Sequence, residues 1–261
     1  MQLEAVVRRV RAHYRLRRPP SCPTDQRTAP PDFVGVGAQR CGTTWCYDLV
    51  VAHPGVHAGA DKELHYFHRF SERSFTTADA TNYARYFPRP VGLQAGEWSP
   101  GYLAHFWAPP CLRRAAADAR VLAILRDPVE RYASGVGLQS ETRRSGAASA
   151  SAAFRLGQYG QQLDHLFRSF PPSQVLVLQF EACVKDPQTA IARTYDFLGL
   201  DASFVPPELA RPRNADRGTR PALDTDHRQW LVQCYERDVA RTAELLPAFD
   251  LALWPNFTHL A

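Results

Sequence analysis

Lysine is nearly missing from this chain: among 31 basic residues only Lys62 and Lys185 are lysine, and the rest are arginine. Methionine occurs once. No apolar run approaches the ~20 residues that would span a bilayer, and no secretory h-region follows the N-terminus. The six cysteines (Cys22, Cys41, Cys46, Cys111, Cys183 and Cys234) are scattered, with no CxxC pair and no Cys/His spacing of a zinc site. Internal repeats are missing too. These absences argue against a membrane-spanning chain, a disulfide scaffold and a zinc module. The expectation they leave is a cytoplasmic protein with reduced thiols.

What is present suits one sizeable α/β core: 261 residues, 45% hydrophobic and 22% charged. The formal net charge is +5 with a pI near 9.0, which favours an anionic ligand. Arginine offers phosphate a bidentate fork, although a GC-rich genome would produce the same bias.

The stretch Phe33-Val-Gly-Val-Gly-Ala-Gln-Arg-Cys-Gly-Thr-Thr-Trp-Cys46 organises the rest. An apolar run over 33–36 predicts a strand. Gly37 and Gly42 bound a loop, and a helical pattern runs from Trp45 to about His53. Strand, glycine loop and helix together point free N–H groups and the positive end of the helix dipole at an anion. The spacing Gly37-x4-Gly42 fits the start of a P-loop, but Thr43 stands where the triphosphate-binding lysine belongs. A phosphate loop is expected, and a magnesium–ATP site is disfavoured. Taken alone, the loop could also be a plain tight turn.

Residues 1–18 read as a basic amphipathic helix, with Leu3, Val6, Val7, Val10 and Tyr14 at helical spacing among arginines. It would pack on its own domain or touch a membrane surface. The prolines of 19–32 predict an extended linker. The domain division expected is therefore 1–31, helix and linker, and 32–261, a single folded domain. Further strands are expected at Val121–Leu125 and Val175–Phe180, with an extended segment leading into Glu97-Trp98-Ser99-Pro100. Helices are expected at about 79–88, 129–139, 152–170, 187–198 and 224–246, and a Pro/Arg-rich loop at 205–222. Strands too apolar to face water, alternating with helices, imply a P-loop-like three-layer α/β/α fold around a central parallel sheet. Ligands bind such sheets at the strands' carboxyl ends, where Gly37 and Arg126 fall. Arg126, ending a strand, and Ser134, two turns into the next helix, form a second anion site. The plainer reading of Arg126 is a surface pair with Asp127 or Glu130.

These segments are similar to those of the sulfotransferases that use 3′-phosphoadenosine 5′-phosphosulfate (PAPS), in particular the heparan-sulfate and bacterial branch. Gly37-Ala-Gln-Arg-Cys-Gly-Thr-Thr44 resembles the family's 5′-phosphosulfate loop, and Leu125-Arg-Asp-Pro-Val-Glu-Arg-Tyr-Ala-Ser134 its 3′-phosphate motif. Lys62-Glu-Leu-His-Tyr-Phe67 resembles the segment with the catalytic glutamate, and Glu97-Trp-Ser-Pro-Gly-Tyr102 the Glu-x-(Ser/Thr)-Pro-x-Tyr segment. Phe180-Glu181, Asp186-Pro187 and Phe197-Leu-Gly-Leu200 resemble the last strand and helix. The resemblance spans roughly residues 32–250.

The resemblance implies PAPS as donor co-substrate, 3′-phosphoadenosine 5′-phosphate (PAP) as product, and no metal. Gln39, Arg40, Cys41, Gly42, Thr43, Thr44 and Trp45 would hold the 5′-phosphosulfate. Arg126 and Ser134 would hold the 3′-phosphate, with the late segment Arg217-Gly218-Thr219-Arg220 closing over it. Arg40, where much of the branch has lysine, would neutralise charge on the bridging oxygen. Glu63 would be the general base, flanked by Lys62, with His65 as the alternative base or its support. Glu97, Ser99 and Tyr102 would serve the acceptor. Trp98 stands where some relatives have lysine. Cys41 and Cys46 are read as packing residues rather than nucleophiles. A small molecule, a lipid or a glycan, and no nucleic acid, is the expected partner; the acceptor pocket is expected from loops 56–90, 98–118 and 139–155, whose aromatic residues point to an apolar or aromatic acceptor. Oligomeric state is not legible in the sequence. The competing readings are a P-loop kinase, which needs the missing lysine, and a non-catalytic nucleotide-binding module working through its N-terminal helix.

Overall fold

The computed structural model describes residues 18–58, 62–141, 146–209 and 223–261. A short strand β1 (Arg27–Thr28) pairs antiparallel with β3 (Pro88–Arg89). The central sheet is parallel, with β2 (Phe33–Gly37), β4 (Gly96–Trp98), β5 (Arg120–Leu125) and β6 (Val175–Gln179) in the order β4-β2-β5-β6. β2 is buried along its whole length and β5 from Val121 onward, as expected for strands covered on both faces.

Helices follow the strands. α1 (Thr43–Val51) leaves the end of β2. α2 (Thr77–Ala84) starts at a capping box in which Thr76 and Asp79 satisfy each other's backbone N–H groups. α3 (Ala108–Ala115) precedes β5. α4 (Pro128–Glu141) follows β5, with Pro128 at its first position. α5 (Ala147–Arg155) and α6 (Tyr159–Ser169) lead to β6. α7 (Phe180–Lys185), α8 (Pro187–Leu198, capped by Asp186) and α9 (Thr225–Leu245, capped by Asp224) complete the chain's main elements. α1 packs with α8, and α9 lies on α6 and α4. The result is one α/β unit with a parallel sheet flanked by helices, and the carboxyl ends of β4, β2 and β5 lie side by side at one edge of the sheet.

Two expectations change. The helix expected over 152–170 is two helices, α5 and α6. At the break a Cβ on Gly157 would sit 2.8 Å from the Tyr235 hydroxyl. Asp238 of α9 then accepts from the Gly160 and Gln161 N–H groups at 2.9 and 3.1 Å, capping α6 from outside its own segment. The proline-rich linker is also fastened to the domain at its end. The buried Arg89 guanidinium donates to the carbonyls of Ala29 and Pro30 and pairs with Asp32 at 2.9 Å. Most of the expected N-terminal helix, residues 1–17, and positions 210–222 of the Pro/Arg-rich loop lie outside the described residues.

Candidate active site

The glycine loop joins β2 to α1. Gly42 is the N-cap of α1 at φ 81°, a left-handed conformation that glycine adopts without strain. A Cβ there would also stand 2.9 Å from the Phe180 ring. No side chain caps the helix, so the first-turn N–H groups of Thr43, Thr44 and Trp45 face the loop with the positive end of the helix dipole behind them. Thr43 is buried, and Thr44, Trp45, Gln39 and Arg40 are part-exposed.

Ser134 arrives at this loop from α4, and Arg126 from the end of β5. Arg40 Nε donates to Ser134 Oγ at 3.0 Å, and Arg126 Nη1 to the Arg40 carbonyl at 3.4 Å. The Arg126 guanidinium lies 5.0 Å over the Phe180 ring, a cation–π contact. The two anion motifs, far apart in sequence, thus meet in one place. The surface pairing of Arg126 with Asp127 or Glu130 does not occur. Asp127 is fully buried, caps α4 by accepting from Val129 and Glu130 N–H, and also accepts from the Asn256 backbone and amide. Glu130 pairs with Arg228 at 2.5 Å. Glu181, which accepts from Asp127 N and Trp254 Nε1, ties the C-terminal residues to the same corner. The Cys41 thiol lies 3.6 Å from the Tyr159 hydroxyl, and burial pushes it up to about 11, which suits packing and not nucleophilic attack.

The second group is Lys62, Glu63 and His65. Lys62 Nζ donates to Glu63 Oε1 at 2.7 Å, and His65 Nε2 stands 3.4 Å from Oε2. The His65 hydrogen bond first, and the Lys62 ammonium after it, hold the Glu63 carboxyl down at about 2 against the opposing effect of partial burial. Glu63 is therefore ionised at neutral pH. Its backbone N–H donates to the Trp98 carbonyl (3.1 Å), and the His65 N–H to Ser99 Oγ (2.9 Å), so this segment is strapped to the end of β4. Among the described residues, three non-glycine residues have positive φ: Arg40 at 68°, Glu63 at 64° and His65 at 53°. Such strained positions gather at functional sites, and all three were candidates from sequence.

Glu97, Ser99 and Tyr102 turn inward, where the sequence placed them against an acceptor. All three are fully buried. Glu97 accepts from Tyr83 (2.7 Å) and Tyr102 (2.9 Å) at one oxygen and from Ser99 (2.5 Å) at the other. Burial raises its carboxyl. The cluster acts as the footing of the 63–65 strap, since Ser99 passes Glu97's anchorage on to His65. Trp98 is buried as well, donating Nε1 to the Gly37 carbonyl at 3.2 Å with its ring over Gly35, where a Cβ would come within 1.9 Å.

Sequence reasoning missed a column of rings behind Glu63. His65 stacks on His68 at 4.7 Å, His68 lies almost parallel to His105 at 4.5 Å and 8°, and His105 meets the Trp107 edge at 4.7 Å. Burial depresses His68 to about 3 and His105 to about 4, helped by the neighbouring imidazoles. The spacing of His65 and His68 on the 3-10 turn Tyr66–Ser71 could have suggested the first pair; nothing local points to His105. Arg217, Gly218, Thr219 and Arg220 lie outside the described residues. Among the described residues, no group of three His, Cys, Asp or Glu is placed to hold a metal ion, and no helix is long and apolar enough to cross a membrane.

The model of the family described as "Sulfotransferase domain" matches residues 30–214. Human heparan sulfate glucosamine 3-O-sulfotransferase 6 is 31% identical over 186 residues, covering 65% of this chain and 52% of that protein. The membrane-associated sulfotransferase kil1 of Dictyostelium discoideum is 29% identical over 105 residues, 39% of this chain and 21% of its own. The chain spans about half the length of the heparan sulfate 3-O-sulfotransferases it matches. Among solved structures, a sulfotransferase from Alicyclobacillus acidocaldarius superposes with a TM-score of 0.70 at 24% identity, over 86% of this chain and 99% of that one. A sulfotransferase from Mycobacterium avium gives 0.55 at 15%, over 94% and 81%. Both likenesses are of fold.

Proposed function

The chain belongs to the sulfotransferase domain family, and from that premise we propose that it transfers the sulfuryl group of PAPS to a hydroxyl, or an amine, of an acceptor. The observation that carries this reading is the convergence of Arg40, Arg126 and Ser134 on an uncapped helix N-terminus. Such a site offers two anion positions, built from N–H groups, hydroxyls and guanidinium forks, and lacks a lysine at position 43 for a triphosphate. A donor with a 5′-phosphosulfate and a 3′-phosphate matches both. Residues Gln39 to Trp45 would hold the 5′ end, with the Gly42, Thr43 and Thr44 N–H groups as the principal donors. Arg126 and Ser134 would hold the 3′-phosphate. When bound, the donor supplies the sulfuryl group and departs as PAP.

Glu63 takes the acceptor's proton. A carboxylate held at about 2 is ionised but weakly basic. Drawing the Lys62 ammonium toward charge growing on the departing nucleotide would lift part of this depression, the His65 hydrogen bond being the larger part, and so raise the basicity of Glu63. His65 orients the carboxylate from the other side. Arg40, beside the loop, adds positive charge where negative charge develops. The 3-O-sulfotransferase relatives are named for a glucosamine hydroxyl of heparan sulfate, which favours a carbohydrate hydroxyl among the acceptor classes.

Calorimetry with PAP in EDTA, set beside ATP with magnesium, tests the donor. Metal-free binding of PAP with weak ATP binding is expected. A preference for ATP with magnesium would move the chain to the kinases, and binding of neither would leave a non-catalytic module.

A further inference from the structure

Arg131 has no solvent exposure and stands on α4 between the two residues assigned to the 3′-phosphate. Its Nη2 donates to the Ala153 carbonyl of α5, while Nε and Nη1 are buried without an acceptor. The carboxylates of its own first turn are engaged elsewhere, Asp127 by the helix cap and Asn256, Glu130 by Arg228. The Tyr235 hydroxyl donates to the Phe154 carbonyl at 2.8 Å and lies within hydrogen-bond reach of the Arg131 guanidinium, a neutral neighbour that brings no counter-charge. A buried charge calls for a counter-charge.

The Arg131 guanidinium sits beside the turn of α4 that carries Ser134. Arg131 precedes Ser134 by one turn, so the two share a side of the helix. A Cβ on Gly135, the residue after Ser134, would stand 3.6 Å from Arg131 Nη1. Ser134 Oγ is the group that receives Arg40. Cys41, inside the phosphate loop, lies within the field of both Arg131 and Arg126. Resting on the PAPS reading above, we propose that Arg131 is a buried positioning residue for the donor. Its charge, held behind Ser134, is answered by the 3′-phosphate dianion and selects a 3′-phosphorylated nucleotide over one with a 5′-phosphate alone. Because the charge is buried, its effect is screened little by salt.

The test compares the full chain with Arg131→Met and Arg131→Lys in thermal melts and calorimetry, using PAP and adenosine 5′-phosphate at low and high salt. Arg131→Met should melt at or above the wild-type temperature without ligand, because an uncompensated buried charge has been removed. It should bind PAP about tenfold more weakly, with adenosine 5′-phosphate changed by less than about twofold and the difference kept at high salt. Equal weakening of both ligands, or no change in PAP binding, overturns the proposal. Should Arg131→Met not fold, Arg131→Lys decides: a preference for PAP within about threefold of wild type supports a charge role, and loss of that preference overturns it. Wild-type protein without any preference for PAP would sink the donor reading itself, before Arg131 is at issue.

Discussion

Around α1 the site is made of backbone and arginine. The loop places Gly42 in a left-handed turn, leaves the α1 N-terminus without a side-chain cap, and gathers Arg40, Arg126 and Ser134 over it. Around Glu63 it is made of side chains that occupy one another. Lys62 and His65 hold Glu63, Ser99 holds His65, Glu97 holds Ser99, and Tyr83 and Tyr102 hold Glu97. The first half can receive an anion by adding contacts. The second is already occupied by its own partners, and its one ionised, half-exposed member is Glu63. A sulfuryl-transfer site needs both kinds of construction, because a phosphate is held by many weak donors and a proton is taken by one group in a fixed place.

The most direct way to separate the halves is Glu63→Gln. It keeps the shape and removes the proposed base, so turnover should fall by roughly 10²–10⁴-fold, while calorimetric PAP binding stays close to wild type. Near-normal turnover would remove Glu63 as base and transfer the role to His65. Arg126→Ala should do the reverse. Losing a charge-assisted bond of about 1.5–3 kcal/mol weakens PAP by roughly 10- to 100-fold and leaves adenosine 5′-phosphate little changed. Equal loss of both ligands would place Arg126 outside the 3′ position.

The difference between the halves also sets how much the sequence discloses. The donor half depends on local spacing: an apolar run, Gly37 and Gly42 with four residues between them, an arginine at a strand end and a serine two turns into a helix. Each can be counted along the chain, and the strands and the parallel sheet follow from the same pattern. The other half depends on residues that meet only after folding. Glu97 at a strand end looks like a solvated or substrate-facing carboxylate until Tyr83 of α2 and Tyr102 close over it. His105 joins His68 from a separate loop. The break between α5 and α6 is likewise set from outside, by Tyr235 and Asp238 of α9.

Ser99→Ala probes the footing. It removes the acceptor of the His65 N–H and one donor to the buried Glu97, at a cost of about 1–3 kcal/mol in stability. Turnover should drop with PAP affinity retained, because the strap carrying Glu63 loosens while the loop is untouched. Loss of PAP binding in step with turnover would show that the two halves are one mechanical unit.

The smallest effect expected is in acid stability, and its sign follows from the imidazole column. His68 and His105 are held at about 3 and about 4 in the folded chain, against an ordinary value of 6.5. Between pH 6.5 and about 4 the unfolded chain binds protons that the folded chain refuses. Stability therefore rises with pH through this window, is complete above it, and is lost on acidification. His68→Phe keeps a ring between His65 and His105 and removes one titrating group. The slope of stability against pH should become shallower by at most about 1.4 kcal/mol per pH unit, less to the extent that the ring is reached by water. Denaturant melts from pH 7 down to pH 4.5 measure it directly. An unchanged slope would mean that His68 gains its proton in the folded chain as readily as in the unfolded one, and that the column behind Glu63 opens to water long before the protein does.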